Sequence, residues 1–473
     1  MVAINPDHKA ADSVAPALPD RFRIGTLVYT KMGLATLFLW ILWGDFCITM
    51  LGFIKPNILP LMLREIGASN QSIALISLSI PNLMTMFIAP LISVRSDRFR
   101  SRWGRRIPFL LIGTPFLTFF LIMLGFSEPI SQKLLGLLTH GGGSVSPRTV
   151  ALCTVGVFVV CAHFFELVVS TAYYCLINDV VPEAFLARFL ALFNMVNRLA
   201  NFVFVMFILG NALTYTREIF VSISLLYFIS FMLMGWRVKE GNYPPPAPRP
   251  PGRMGSVTTY FRECFGRKYY VYFFLGVTFF GIASVVGVFQ VFFIQSIGLS
   301  LDQYGKIAAW TGIPLLLLMY PAGALVDRIH PIRAVLLCLV AYNLYNLVML
   351  VFAHDIVSYA VIYSCFGVLP GAVFNVAFVP LHMKILPRDR YGQFASAAAL
   401  MGAAATVVFS YAAGVFMDWV GNYRFIFVWT LVFQTLSFLC FYMVYRHWRI
   451  HGDTRDEVAP SVSDSTATEV VTN

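Results

Sequence analysis

Twelve long apolar runs are the feature that most limits how this chain can fold. Each is close to the roughly 20 residues that a helix needs to cross a bilayer, and six lie on each side of a proline-rich stretch. Hydrophobic residues make up 58% of the 473 residues and charged residues only 12%, which is too apolar for one aqueous core. The runs are 33–54, 73–94, 107–126, 150–177, 189–213, 219–236, 270–294, 307–326, 334–352, 357–383, 395–419 and 425–445. The sequence therefore predicts an all-α membrane protein with twelve transmembrane helices.

The polar segments divide the chain into five predicted regions. Residues 1–32 form an N-terminal cytoplasmic tail that lacks the pattern of a signal peptide, so no processing is expected. Residues 237–268 form a proline-rich cytoplasmic linker, a composition that favours extended chain over packed structure. Residues 446–473 carry no helical stripe and are predicted to be a disordered cytoplasmic tail. The two six-helix bundles then occupy 33–236 and 269–445.

The charges of the loops predict the orientation. Six arginines and one aspartate lie between positions 95 and 106, whereas Glu128, Lys133 and Arg148 are the charged residues of the loop 127–149. Because short cytoplasmic loops hold the excess of basic residues, the first loop is predicted to be cytoplasmic, and even helix counts place both termini on that side. The expected location is the cell (inner) membrane. The net charge of +11 lies in such loops, so no nucleic-acid partner is expected.

Short motifs recur at matching places in the two halves. After the second run of each half, Ser93-x3-Asp97-Arg98 corresponds to Gly323-x3-Asp327-Arg328. After the fourth run, Val-Pro at 181–182 corresponds to Leu-Pro at 386–387. Such internal repeats are common in membrane transporters. They predict two pseudo-symmetric six-helix bundles.

The first of these motifs resembles the signature of the major facilitator superfamily, Gly-x3-Asp-Arg/Lys-x-Gly-Arg-Arg/Lys. Ser93 replaces the first glycine, a change from one small residue to another that still permits close helix packing. A longer stretch is similar to the glycoside-pentoside-hexuronide cation symporters and the related sucrose transporters. It comprises Ser96-Asp97-Arg98, Arg102, Gly104-Arg105-Arg106 and Pro108-Phe109. The resemblance implies secondary transport by alternating access.

Charged residues of this motif are predicted to form a conformational latch. Asp97 at a helix end can pair with cytoplasmic arginines, and breaking those pairs would accompany opening of the protein. The alternative is that the arginines only enforce topology, which we prefer for Arg100 and Arg102. The predicted latch residues are Asp97, Arg98, Arg105, Asp327 and Arg328.

Three ionisable residues fall deep inside the predicted helices. Asp45 in helix one, Glu166 in helix four and Arg198 in helix five each lie roughly 15 to 18 Å from a helix end, at about 1.5 Å per residue. Such residues are rare in spanning helices and are by default functional hypotheses. Glu166 and Arg198 lie on antiparallel helices of the same half, which allows them to meet as a pair across the interior. The alternative to a ligand site is an ion pair that only holds the bundle together.

The surroundings of Arg198 predict a polar substrate site. Asn194 and Asn201 share its helical stripe, and an amide and guanidinium face suits a polyhydroxylated or anionic ligand. Tyr174 and Trp43 are the candidate rings for a sugar face. Resemblance adds that glycoside symporters and the lactose permease recognise sugar through acidic residues on helix four and an arginine on helix five.

A proton is the predicted coupling ion. Asp45 resembles the helix-one acid of the cation-coupled glycoside symporters, whose sodium-dependent members also carry carboxylates along helix two. The second run here contains none, so the oxygen cluster that sodium prefers is missing and sodium is less favoured. Asp45 and Glu166 are the candidate proton carriers, since burial favours the neutral form of a carboxyl group. His163 is more simply a core histidine than part of a proton path.

The leading functional hypothesis is a secondary active transporter of a small polar solute, a sugar or glycoside moved by proton symport. The alternatives are a transporter of an organic anion, drug or lipid-like molecule, an uncoupled facilitator, and a sensor that has lost transport. An enzyme is not expected, because no phosphate-binding loop, HExxH or nucleophile motif occurs. No cofactor or metal is expected, and the predicted partners are the lipid bilayer, the solute and the proton, with the chain as a monomer.

Overall fold

The computed structural model describes residues 22–24, 26–140, 145–241, 260, 262–387 and 390–451. Within them, twelve helices are long and apolar enough to cross a membrane. In chain order, spanning helices one to twelve are Lys31–Glu65, Asn70–Arg98, Ile107–Gly125, Pro147–Val180, Glu183–Asn211, Thr216–Arg237, Lys268–Ser296, Leu301–Ile329, Pro331–Phe352, Ile356–Ile385, Tyr391–Val420 and Tyr423–Ile450. The predicted count of spanning helices is confirmed.

Helix one is longer than its apolar run. It continues past Lys55, Pro56 and Asn57 as far as Glu65, with the second segment Leu59–Glu65 following Ile58 directly. Proline at the first turn of that segment is compatible with helical backbone, because the amide it lacks would be unbonded there. The consequence is that Lys55, which the sequence placed just beyond helix one, lies inside it.

The segments outside the spanning helices contain structure that the sequence did not predict. A two-stranded antiparallel hairpin, β1 (Arg23–Ile24) and β2 (Leu27–Val28), lies within the predicted N-terminal tail, with Phe22 and Tyr29 buried beside it. The predicted loop between helices three and four contains an additional helix, Ser127–His140.

The two predicted cytoplasmic segments at 237–268 and 446–473 are described only in part. Most of the linker and the tail from residue 452 lie outside the described residues, so the predicted extended and disordered chain is not addressed there. The start of the tail is ordered, because the last helix continues to His451.

The chain divides into two compact units, and their internal packing repeats. The first comprises the described residues up to 241 together with Ser300–Ala309, and the second comprises the rest. In the first unit helix one packs on helices five and six, and helix three packs on helices four and six. In the second unit helix seven packs on helices eleven and twelve, and helix nine on helices ten and twelve. Four helix pairs therefore recur in equivalent positions, as duplication predicts.

Candidate functional site

Asp45 is the most completely buried of the predicted site residues, with 0% of its surface exposed. Its Oδ2 accepts a hydrogen bond of 2.9 Å from Nδ2 of Asn197 on helix five. The amide oxygen of Asn197 accepts from the hydroxyl of Thr49, one turn along helix one from Asp45. Within the described part of the chain, Oδ1 of Asp45 has no hydrogen-bond partner and no ion pair involves Asp45. A buried carboxyl group without a counter-ion is costly to ionise.

Glu166 forms an ion pair with a residue that the sequence analysis missed. Its Oε2 contacts Nζ of Lys55 on helix one, and the two side chains are 22% and 24% exposed. Nδ1 of His163 lies 3.3 Å from the same oxygen. Glu166 therefore contacts Lys55 and His163, and its pairing with Arg198 stays a prediction.

His163 connects this pair to helix two. Its Nε2 lies 3.0 Å from the carbonyl oxygen of Pro81, which can only accept, so Nε2 carries the hydrogen. The hydroxyl of Thr85 is 3.1 Å from the same nitrogen. In the neutral ring Nδ1 is then an acceptor, and it receives a hydrogen bond of 2.8 Å from Lys55. Lys55 therefore bridges Glu166 and His163, and this group joins helices one, two and four.

The remaining predicted substrate residues lie mainly around helix five. Tyr174 is 48% exposed, and its ring lies 6.4 Å from that of Phe193, which precedes Asn194. The side-chain amide of Asn194 donates to the carbonyl of Leu190 in its own helix. Arg198 and Asn201 are partly exposed on the same helix. The stripe predicted from the spacing thus exists, although the asparagine that contacts Asp45 is the neighbouring Asn197.

Trp43 belongs to a separate surface of helix one. It is 42% exposed and stacks on Phe46 of the same helix, with ring centroids 5.6 Å apart. Its ring face is therefore partly covered by its own helix, whereas Tyr174 is held next to helix five.

A second charged cluster lies at the start of helix three, in the arginine-rich loop that precedes it. The carboxylate of Asp179, at the end of helix four, accepts from Nε and Nη2 of Arg105 at 3.0 and 2.6 Å. It also accepts from Nε of Arg106 at 3.2 Å. Arg106 in turn pairs with Asp97 and donates to the hydroxyl of Ser96. Asp179 is therefore the shared acceptor of the two arginines, a role that the sequence analysis did not assign.

Glu240 caps the start of helix three in the same cluster. Its two carboxylate oxygens accept from the backbone amides of Arg105, Arg106 and Ile107 at 2.9, 2.7 and 2.7 Å. These are amides that a helix N-terminus leaves without internal partners, and a negative charge there is favourable. Glu240 could have been suspected from the sequence, because it is an acid in a basic segment after Arg237 and Lys239, whereas no such signal marks Asp179.

The tight approach of Glu240 depends on Gly104. This glycine has φ of +109°, and a Cβ atom built on it would lie 2.6 Å from Cδ of Glu240. We expect Gly104→Ala to lower stability by about 2 kcal/mol, because it adds backbone strain and displaces the cap. Gly136→Ala, in a helix where the added atom meets nothing within 4 Å, should be neutral or slightly stabilising. Denaturant unfolding of both variants checks the contrast, and equal behaviour would contradict it.

The other predicted latch residues stand apart from this cluster. Arg98 takes part in none of the contacts described for this cluster. In the second unit Asp327 and Arg328 are exposed, and among the described ion pairs none joins them to a partner. Where the first copy of the motif has Arg105 and Arg106, the second copy has the single Arg333. The guanidinium of Arg333 lies over the rings of Tyr445 and Trp448. The latch stays a prediction, with its contacts concentrated in the first unit.

Polar residues of the second unit form pairs between helices. Asn346 donates to Oε1 of Gln434 at 3.1 Å, and Gln290 donates to the hydroxyl of Tyr359 at 3.3 Å. Over the described ranges, no group of three or more His, Cys, Asp or Glu side chains is arranged to hold a metal ion.

Comparison with known proteins decides the family. The sequence profile of the Major Facilitator Superfamily matches residues 41–409. The chain belongs to this superfamily. It is therefore a multi-pass membrane transporter of the major facilitator type. A comparison with curated protein sequences gives no match.

Solved structures similar to this major facilitator chain include transporters of different solutes. A bacterial homologue of the human lysosomal transporter Spinster, inward-facing and unoccupied, has a TM-score of 0.63 at 13% identity, covering 90% of this chain and 98% of that one. A mutant form of the nucleoside transporter NupG also has 0.63 at 13% identity, covering 86% and 100%. A bacterial homologue of the iron transporter ferroportin, inward-facing, has 0.58 at 15% identity, covering 87% and 99%. Such low identities show the shared fold and do not assign a solute.

Proposed function

We propose that this transporter is a proton-coupled symporter of a small polyhydroxylated solute, a sugar or glycoside, with Asp45 as the proton carrier. The observation that carries the proposal is the fully buried carboxyl of Asp45, which has one oxygen without a partner in the described residues and is bonded to Asn197, the neighbour of Arg198. Binding of a proton removes the cost of a buried charge, so protonation of Asp45 can be coupled to a movement that changes its surroundings.

The contacts of Glu166 favour Asp45 over Glu166 in this role. The charge of Glu166 is compensated by Lys55, and Lys55 is also held by His163. Protonation of Glu166 would leave the ammonium of Lys55 without its counter-ion, which is unfavourable inside a membrane. In this proposal Glu166 is the ion-pair partner of Lys55. It can bind solute only when that ion pair is broken.

The solute class rests on the groups around helix five. Tyr174 offers a half-exposed ring next to helix five, and Asn194 and Arg198 offer amide and guanidinium groups on the same helix. Aromatic rings pack on the apolar faces of sugars, while amide and guanidinium groups bond hydroxyls. Asn201 extends the proposed surface along the same helix, whereas Trp43 lies on a separate surface of helix one.

The orientation and location remain part of the proposal. We place the Arg105–Asp179 cluster and both termini on the cytoplasmic side of the cell (inner) membrane, because this is the arginine-rich side. In that orientation the cluster acts as the latch that holds the cytoplasmic ends of helices two, three and four together.

The test is uptake by proteoliposomes that contain the purified protein. Hexoses, disaccharides, glycosides, hexuronates and nucleosides are supplied with and without an inward proton gradient. We expect a sugar or glycoside to accumulate only with the gradient. Asp45→Asn should abolish accumulation, because the residue can no longer take up and release a proton, while exchange of labelled for unlabelled solute continues.

The matched control is Asp302→Asn, which removes an exposed carboxylate paired with Lys306 at the surface. It should accumulate solute like the wild type. Gradient-driven accumulation that survives in Asp45→Asn would exclude Asp45 as the carrier. Gradient-driven accumulation of another solute class in place of sugars would overturn the substrate assignment and leave the proposed role of Asp45 in proton coupling unchanged.

A further inference from the structure

A cavity of about 730 Å³ opens at the membrane face opposite the Arg105–Asp179 cluster. It lies within the first unit, between the last turn of helix one, the end of helix three, the start of helix four and the segment joining helices five and six. The volume falls within the range of about 300 to 1,000 Å³ typical of small-ligand sites. Asp45, Glu166 and Arg198 do not line it, so it is separate from the site described above.

Charges of both signs line this cavity. Arg148 and Arg217 contribute two guanidinium groups, and Glu65, Glu128 and Glu218 contribute three carboxylates. Glu65 and Glu128 both line the cavity, and a cation beside two carboxylates would be favourable. Arg217 is held in place over the ring of Phe126, with its guanidinium 4.8 Å from the ring centroid. The cavity therefore presents both guanidinium and carboxylate groups to a ligand.

The helix Ser127–His140 lies beside this cavity and is amphipathic. Glu128, Ser131, Gln132 and Leu135 follow one helical stripe and line the cavity. On an adjoining face Leu134, Leu137 and Leu138 are 41%, 72% and 41% exposed. An amphipathic helix between the ends of two spanning helices lies at the level of the lipid headgroups, with its apolar face toward the acyl chains.

We infer that the cavity binds the headgroup of a zwitterionic phospholipid with a primary ammonium, of the phosphatidylethanolamine class. The phosphate lies against Arg148 and Arg217, the ammonium lies against Glu65 and Glu128, and the acyl chains run along the leucine face of Ser127–His140. Arginine suits phosphate because its donors match the oxygens. A primary ammonium has three hydrogens to donate to carboxylates, whereas a choline headgroup has none.

The experiment is lipid binding to the purified full-length protein, measured by native mass spectrometry. Phosphatidylethanolamine, phosphatidylcholine and phosphatidylglycerol with the same acyl chains are titrated against wild type, Arg148→Gln and Glu128→Gln. We expect the wild type to prefer the ethanolamine lipid. Arg148→Gln should weaken all three lipids about three- to tenfold, whereas Glu128→Gln should weaken only the ethanolamine lipid by a similar factor.

Lys133→Gln is the matched control, because Lys133 lies on the same helix and does not line the cavity. It should bind all three lipids like the wild type. Equal binding of the ethanolamine and glycerol lipids in wild type, or equal losses in Glu128→Gln and Lys133→Gln, would overturn the inference. Displacement of the lipid by an equal concentration of glycerophosphoethanolamine would overturn the lipid assignment in favour of a soluble zwitterion. Thermal unfolding of each variant identifies loss of fold, and Glu128→Gln, at an exposed position, supplies the second variant if Arg148→Gln unfolds.

Discussion

Lys55→Met is expected to destabilise the protein by about 2.5 to 3.5 kcal/mol, the cost of an unpaired charge at the centre of a spanning helix. The substitution keeps much of the length of the side chain and removes the ammonium, which leaves Glu166 without its counter-ion. Glu166→Gln leaves Lys55 with His163 as its remaining partner among the described residues and should destabilise by a similar amount. Denaturant unfolding of the detergent-solubilised protein measures both effects.

The double variant Lys55→Met with Glu166→Gln completes a cycle. Both charges are then absent, so we expect stability to recover to within about 1 kcal/mol of the wild type. Strictly additive losses would show that the two side chains do not interact. Transport by the double variant shows whether the Lys55–Glu166 pair has a structural or a functional role. Activity close to wild type would mean that the pair only stabilises the bundle, whereas a stable but inactive protein would mean that the pair acts on the solute or the proton.

Asp179→Asn is the second substitution with a large expected effect. The carboxylate of Asp179 is shared by Arg105 and Arg106, and the side chain of Arg106 is only 4% exposed. Removal of its charge leaves a largely buried guanidinium underpaired, which should lower the free energy of unfolding by about 3 kcal/mol. Unfolding measurements and uptake assays on the same preparation check the prediction.

Asp97→Asn is the natural comparison, because Asp97 contacts both arginines but is half exposed. Solvent weakens such a pair, so the expected loss is about 1 kcal/mol or less. The sequence motif points to Asp97 as the more important acid, whereas burial points to Asp179. A larger loss for Asp97→Asn than for Asp179→Asn would show that the motif, and not burial, ranks these two acids.

The fold was predictable from the sequence because its signals are long and local. Each spanning helix carries enough apolar residues to be recognised alone, and the repeated motifs of Asp97 and Asp327 relate the two halves. Helix ends were less predictable. Lys55, Pro56 and Asn57 look like a loop, although the apolar stretch 58–63 that follows indicates a continuing helix.

The site was predictable in its residues more than in its contacts. Asp45 and Glu166 stand out because charge is rare in apolar runs, but nothing in the spacing selects a partner on another helix. Glu166 contacts Lys55, a partner that depends on helix rotation and on where helix one ends. The contact of Asn197 with Asp45 has the same origin, since packing turns Asn197 toward helix one.

The amide of Asn197 also dictates where a proton can reside. Its nitrogen donates to Oδ2 of Asp45 and its oxygen is occupied by the hydroxyl of Thr49, so the amide cannot turn round without breaking both bonds. Oδ2 is thereby kept as an acceptor, which favours Oδ1 as the atom that takes up a proton, because a carbonyl oxygen accepts more strongly than a hydroxyl oxygen. The acid form of Asp45 therefore favours one of its two isomers, and a chain of waters that delivers the proton is expected to end at Oδ1.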